Sequence, residues 1–371
     1  MTLDDLAQKV GTKRNPAPIR EWEGAQKPVD IPVRLVEKLA KATRAPFGVL
    51  FLDKPPADEL PLRDFRRPGG TEPRGVSLNL IETVLETQLR QAWLSEQLEQ
   101  EGEAPLDFIG SAKTSDDPTR LAAKIRDRLR IGTAERRAAR RTADAPLWLI
   151  GRLDESGITV TRKGFAGRAT KRTLDRDEFK GFALADRFAP FIFVNGKDWP
   201  ASQVFTIAHE CVHLWLGESA LPDGDWFGTP SHPTERFCNQ VAAEVLLPAE
   251  EVRDAWRASE SLKENVIRIG QGFRVSSLAV LFRARSTNLI GQMELDSALT
   301  EFRAEFEARE EPASGGGGGD HYNNVSIYFG KRFVREVLLS VMTGKTLYSE
   351  AFDLLGTRKT RVVQEMAARF L

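Results

Sequence analysis

The chain has 371 residues, 41% hydrophobic and 29% charged, with a formal net charge of zero. That length exceeds what one hydrophobic core usually organises, the composition is that of an ordered globular protein, and the neutral total excludes an overall basic field for nucleic acid or anionic membrane. Two cysteines exclude a disulfide framework and make a reducing cytoplasm the expected setting. No apolar run approaches the roughly 18 residues that a membrane span needs, and "MTLDDLAQKV" lacks the apolar core of a signal peptide.

In chain order, residues 1–52 read as short helices joined by tight turns, carried by "LDDLAQKVG", "PAPIREWEGAQKP" and "IPVRLVEKLAKATRAPFGVLFL". A Pro-rich linker follows at 53–75. A helical connector, 76–145, opens with Leu78, Ile81, Leu85, Leu89, Trp93, Leu94 and Leu98 on one broad helical stripe. It continues with a helix over about 117–130 and the run "ERRAARR" (135–141), expected to be a solvated helix end. From about 147 the pattern turns to strands in "GITVTRKG", "EFKGFALA" and "PFIFVNG". A helix starting near Pro200 or Ala201, a second over 233–246 and further helices over 250–309 complete a domain at 146–310. "EEPASGGGGGD" places a Gly-rich linker at 311–320, and 321–371 read as a small helical unit. The predicted class is α+β, mostly helical, with a small sheet.

Two of the four histidines stand in "FTIAHECVHLWLG". Residues four apart share one helical face, so His209 and His213 can aim imidazole nitrogens at one point, as a zinc ion at about 2.0–2.1 Å requires. Glu210 is then placed to reach a water at an open metal position and act as general base. The flanking apolar residues bury this helix, and buried imidazoles need partners that a metal supplies. The pentapeptide is short and also arises by accident, so a third ligand on another helix is the discriminating feature. "TERFCNQVAAEVLLP" offers two acids. Glu235 opens its helix beside Pro233 and Thr234 and is preferred as ligand, whereas Glu244 sits deep in "VAAEVLL", where it suits helix-anchoring bonds.

With both segments in view, the chain resembles the ImmA/IrrE family of bacterial zinc metallopeptidases, whose pattern is HExxH, a loop, then ExxAN-x-FAAELLxP. "DEFKGFAL" and "APFIFVN" are similar to the strands before the family's active helix, and "EKLAKATRAPFGVLFLDKPP…LPLRDFRR" and "GGGGDHYNNVSIYFGKRF" to the flanks of its longer members. The resemblance implies a zincin-like domain with a small sheet, Zn2+ ligands at His209, His213 and Glu235, and the base at Glu210. The sequence departs at Cys238, where alanine is usual, and Cys211, where leucine or isoleucine is common; both suit the core, with an oxidation-sensitive or metal-competing role as the alternative.

The implied chemistry is attack of zinc-activated water on a peptide carbonyl, with Glu210 passing the proton to the leaving amine. Substrate is expected along a sheet edge, with "EFKGFALA" as that edge. His232, His321 and Tyr322 are candidate oxyanion donors.

The N-terminal segment resembles a Cro/repressor-like helix-turn-helix in degenerate form, with "PAPIREWE" as recognition helix and Lys13, Arg14 and Arg20 as candidate DNA contacts. A helix that normally completes such a module is missing, and two prolines crowd the turn, so a helical cap on a protein partner is the competing reading. "IRIGQGFRVSSLAVLFRARSTNLI" (267–290) shows a similar rhythm, with Arg283 and Arg285 expected to be exposed. "GKTLYSEAFDLLGTRKTRVVQEM" does too, read first as an interaction unit. Two functions follow as expectations: a regulatory endopeptidase cleaving a specific protein, with a repressor as the expected substrate, or an antitoxin-like protein that neutralises a PIN-type ribonuclease toxin encoded nearby.

Overall fold

The computed structural model describes residues 2–371 except 13–14, 26, 28, 44, 46, 53, 55–61, 65–75, 137, 169, 223–231 and 309–320. The expected Pro-rich linker lies largely, and the Gly-rich linker wholly, outside the described residues. The chain divides into two units, Met1–Glu59 and Leu60–Leu371.

In the first unit, α1 (Leu3–Val10), α2 (Ile19–Gly24) and α3 (Val33–Thr43) enclose a small core of Val10, Ala17 and Ile19, with Leu6, Trp22, Leu35 and Leu39 packed against it. A capping box starts α1: Thr2 Oγ1 accepts from Asp5 N and the Asp5 carboxylate accepts from Thr2 N. Pro18 caps α2 without a side-chain bond, and the helix runs only six residues.

The second unit is α+β and mostly helical. Among the described residues five strands form one sheet: β1 (Arg63–Asp64), β2 (Thr159–Lys163), β3 (Gly181–Leu184), β4 (Phe191–Asn195) and β5 (Ala220–Leu221), in the order β1-β5-β3-β4-β2. β3 pairs antiparallel with β4, with Phe182 opposite Phe193, while β2 runs parallel to β4. β3 is therefore not the sheet edge that the sequence suggested. β5 covers its other side at Ala183, opposite Ala220.

Every residue of β3 and β4 is buried, and successive side chains alternate between two cores, as a period of two demands. Ala183, Ile192 and Val194 join one core with α5 (Pro118–Leu129), α7 (Ala145–Glu155), α8 (Pro200–Leu216) and α9 (Pro233–Leu246). Helices α10 (Ala249–Ala255), α11 (Leu262–Phe273), α12 (Ser277–Ser286) and α13 (Gln292–Ala308) extend this layer. Phe182, Leu184, Phe191 and Phe193 join the other core, covered by α4 (Leu78–Gln100), α14 (His321–Phe329), α15 (Lys331–Met342), α16 (Tyr348–Leu354) and α17 (Thr360–Phe370). A short helix, α6 (Thr133–Arg136), follows α5.

Three expectations change here. The stripe on α4 holds in its second half, where Leu94 and Leu98 are buried, but in its first half Leu80 and Val84 are buried while Leu85 and Leu89 are 51% and 63% exposed. The segment after 145 is first a helix, α7, and β2 begins only at Thr159. The run 135–141 is not wholly solvated, because Arg136 is 2% exposed and donates to the carbonyls of Val245 and Leu246. Those carbonyls end α9 and have no partner further along it, so a guanidinium there satisfies groups that burial would otherwise leave unpaired.

Candidate metal centre

α8 begins at Pro200, whose missing N–H costs nothing at the first helical position, and residues 203–215 are buried on all sides. Gly217 ends it with φ +71°, a conformation that suits glycine, and an added Cβ there would come within 2.9 Å of Gly110 Cα. The loop that passes this close also caps the helix. Gly110 N donates to Leu214 O (3.1 Å), Ala112 N donates to Trp215 O (2.9 Å), and Phe108 stacks on Trp215. The histidine helix is thus fixed at its end by main-chain bonds and an aromatic pair.

α9 packs across α8 and brings its first turn to the histidines. His209 Nε2 and His213 Nε2 lie 3.1 Å apart; Glu235 Oε2 is 3.1 Å from the first and Oε1 3.3 Å from the second. His209, Glu210 and His213 have no solvent exposure and Glu235 has 1%. Burial lowers the pKa of His209 against the opposing pull of Glu235. Burial also works to raise Glu235, but the two imidazoles outweigh it and hold the carboxyl down to about 2. Burial, and secondly the Glu235 charge, pushes Glu210 well above the usual carboxylate range. Both Glu210 oxygens are buried without a hydrogen-bond partner.

His209, His213 and Cys238 form a buried group with donor atoms within 4.8 Å of one another, compatible with a metal ion. Two ligand sets can thus be drawn, one with Cys238 and one with Glu235. Cys238 Sγ lies 3.9 Å from His213 Nδ1, on the ring nitrogen turned away from His209. The Glu235 oxygens face both Nε2 atoms. Four corners about 2.0–2.1 Å from a centre are separated by roughly 3.3–3.4 Å in a tetrahedron, and the Glu235 set comes close to those edges. The carboxylate set fits better.

The other candidates fall elsewhere. His232 caps α9, its Nδ1 accepting from Thr234 N at 3.3 Å. His321 and Tyr322 open α14, but their side chains lie outside the described residues, as do Lys13 and Arg14 altogether. Arg20 is ion-paired with Asp4 at 3.2 Å on the surface. Arg283 and Arg285, expected to be exposed, are both engaged: Arg283 with Glu244 and Leu247 O, Arg285 with Gln292. Glu244 also accepts from Ala249 N at 3.2 Å, so it anchors the end of α9.

Two features escaped sequence reading. Asn239 Oδ1 lies 2.8 Å from His209 Nδ1, and its position four residues after Glu235 was the available signal. Gly181 of β3 leaves room beside Glu210, since a Cβ there would stand 3.4 Å from Glu210 Oε1.

Residues 153–285, which contain this whole constellation, match the family model of the IrrE N-terminal-like domain, Peptidase M78. Residues 329–369 match a domain of unknown function (DUF8813). No curated protein matches the chain. The first match supports the ImmA/IrrE resemblance and a metallopeptidase at the level of the family. No helix among the described residues is long and apolar enough to cross a membrane.

Proposed function

We propose that the second unit is a zinc-dependent metallopeptidase of ImmA/IrrE type that cleaves one specific protein, with a transcriptional repressor as the substrate class. One observation carries the reading: three donors from two helices converge within 3.1–3.3 Å beside a carboxylate whose oxygens have no partner. His209, His213 and Glu235 would hold the ion, two nitrogens and one oxygen being a donor set that suits zinc. A bound zinc supplies a Lewis acid for a peptide carbonyl and acidifies water. Glu210 takes the proton from the attacking water and delivers it to the leaving amine. Its pKa is raised first by burial and secondly by the Glu235 charge, and a cation among the three donors would offset the second.

A second reading rests on the complete burial of these side chains. A peptide reaches the centre only if the surrounding chain moves, and a closed site suits a protein that grips its partner. In that reading the chain is the antitoxin of a toxin–antitoxin pair and neutralises a PIN-type ribonuclease encoded nearby. The first unit, three short helices around an apolar core, is read as a degenerate repressor-like module, and the cytoplasm as the location.

Metal content of the purified chain and the Glu210→Gln variant test these readings together. The peptidase reading expects about one zinc per chain in both proteins and cleavage of the co-expressed neighbouring gene product by the wild type alone. Rescue of cells by Glu210→Gln as effective as by the wild type overturns proteolysis as the main role. Absence of zinc from the wild type overturns the metal site.

A further inference from the structure

We infer that Asn239 is a positioning residue: it fixes the tautomer and aim of His209 and thereby sets the affinity for the metal. The inference rests on the metal-binding reading above. Glu235, Cys238 and Asn239 stand at i, i+3 and i+4 of α9, so one face of that helix meets α8. From this face Glu235 reaches both Nε2 atoms, while Asn239 reaches the far side of one ring, Oδ1 lying 2.8 Å from His209 Nδ1.

An amide oxygen can only accept a hydrogen bond, so the Nδ1 of His209 carries the proton toward Asn239 and Nε2 is the nitrogen left to ligate a metal. Nε2 faces the point where His213 Nε2 and Glu235 Oε2 converge, each 3.1 Å away. Three donor atoms gathered on one side of the ring are arranged for a cation. The other ring is held differently: His213 Nδ1 faces Cys238 Sγ at 3.9 Å and Glu218 Oε2 at 4.0 Å. α9 therefore supplies both a ligand and the group that orients another ligand. Outer partners of metal-bound histidines typically change affinity about 10–100-fold when removed.

The test compares the wild type with Asn239→Leu, which removes the acceptor at similar volume, and Asn239→Asp, which keeps one. Zinc affinity is measured by competition with a chelating dye, and thermal midpoints are taken in chelator and in zinc. Asn239→Leu is expected to bind zinc about 10–100-fold more weakly, to melt like the wild type in chelator, and to gain less on adding zinc. Asn239→Asp is expected to recover most of the affinity. Equal affinities of Asn239→Leu and the wild type overturn the inference, as does an equal loss of midpoint with and without zinc, which marks a helix tie only. A wild type that takes up no zinc sinks the metal reading and this inference together, an outcome distinct from a wild type that binds and a variant that binds equally.

Discussion

The guanidinium of Arg283 closes on the carboxylate of Glu244, at the opposite end of α9 from Glu235. Its Nε also donates to Leu247 O at 2.6 Å, and Arg136 holds the carbonyls of Val245 and Leu246 from another side. Two cations at the carbonyl end of a helix also suit its dipole. The helix that carries Glu235 is therefore clamped where it stops, well away from the histidines.

Arg283→Met is expected to cost about 3–5 kcal/mol, because it leaves a largely buried carboxylate without its counter-ion. Adding Glu244→Leu should recover a substantial part. Urea unfolding of the two single variants and the double variant checks this, and independent, additive losses would show that the pair is not coupled.

Gly181 faces a tight corner. A Cβ there would lie 2.7 Å from Phe193 O and 2.8 Å from Thr206 Cγ2. Gly181→Ala should destabilise by about 1–3 kcal/mol, with partial relief from Thr206→Ser, which removes the methyl but not the carbonyl. Equal stability of Gly181→Ala and the wild type in denaturant would contradict the close packing of β3 on α8.

Lys163 is buried at the end of β2, its ammonium donating to Gly167 O at 2.5 Å, 3.6 Å from Glu86 and over the ring of Phe165. Burial, opposed by Glu86, pushes its pKa down from 10.5 to about 8. Between those values the unfolded chain keeps a proton that the folded chain has lost, so stability rises with pH across that window, by at most about 3 kcal/mol. Below about pH 8 both states are charged and the cost of burial is fully felt. Urea midpoints of the wild type and Lys163→Met at pH 7.5 and about 10.5 isolate this group: the rise should be smaller in the variant. Parallel profiles would refute the assignment.

The face of α4 gives a contrast within one helix. Leu80→Ala should cost about 2–5 kcal/mol, as for a fully buried leucine, while Leu85→Lys and Leu89→Glu should stay within about 0.5 kcal/mol. Thermal melts of the three variants decide which stripe faces the core.

Local spacing made much of this legible. The i, i+4 pair His209 and His213, the proline starts of α8 and α9 and the short strands all lie in contiguous stretches, and the structure forms them close to the expected positions. The approach of Glu235 to the histidines has no such local basis, since it stands on α9 and they stand on α8. α4 was misread because it carries apolar residues on two faces, and periodicity alone does not choose between Leu80 and Leu85. Arg136, Arg283 and Lys163 look like surface charges in sequence. Arg136 reaches Val245, Arg283 reaches Leu247 and Lys163 reaches Glu86, partners 109, 36 and 77 positions away that only folding supplies. The place of β3 inside the sheet depends on β5, a two-residue strand with no periodic signal of its own.

The sheet has no dry-side spare: Phe182, Leu184, Phe191 and Phe193 rely on helices contributed from before residue 101 and after residue 320. A fragment trimmed to the stretch that matches the peptidase family would keep the histidine helix yet leave those four side chains in water. Such a piece would be expected to clump on expression, so biochemistry on this candidate metal centre begins from a polypeptide that retains both flanks.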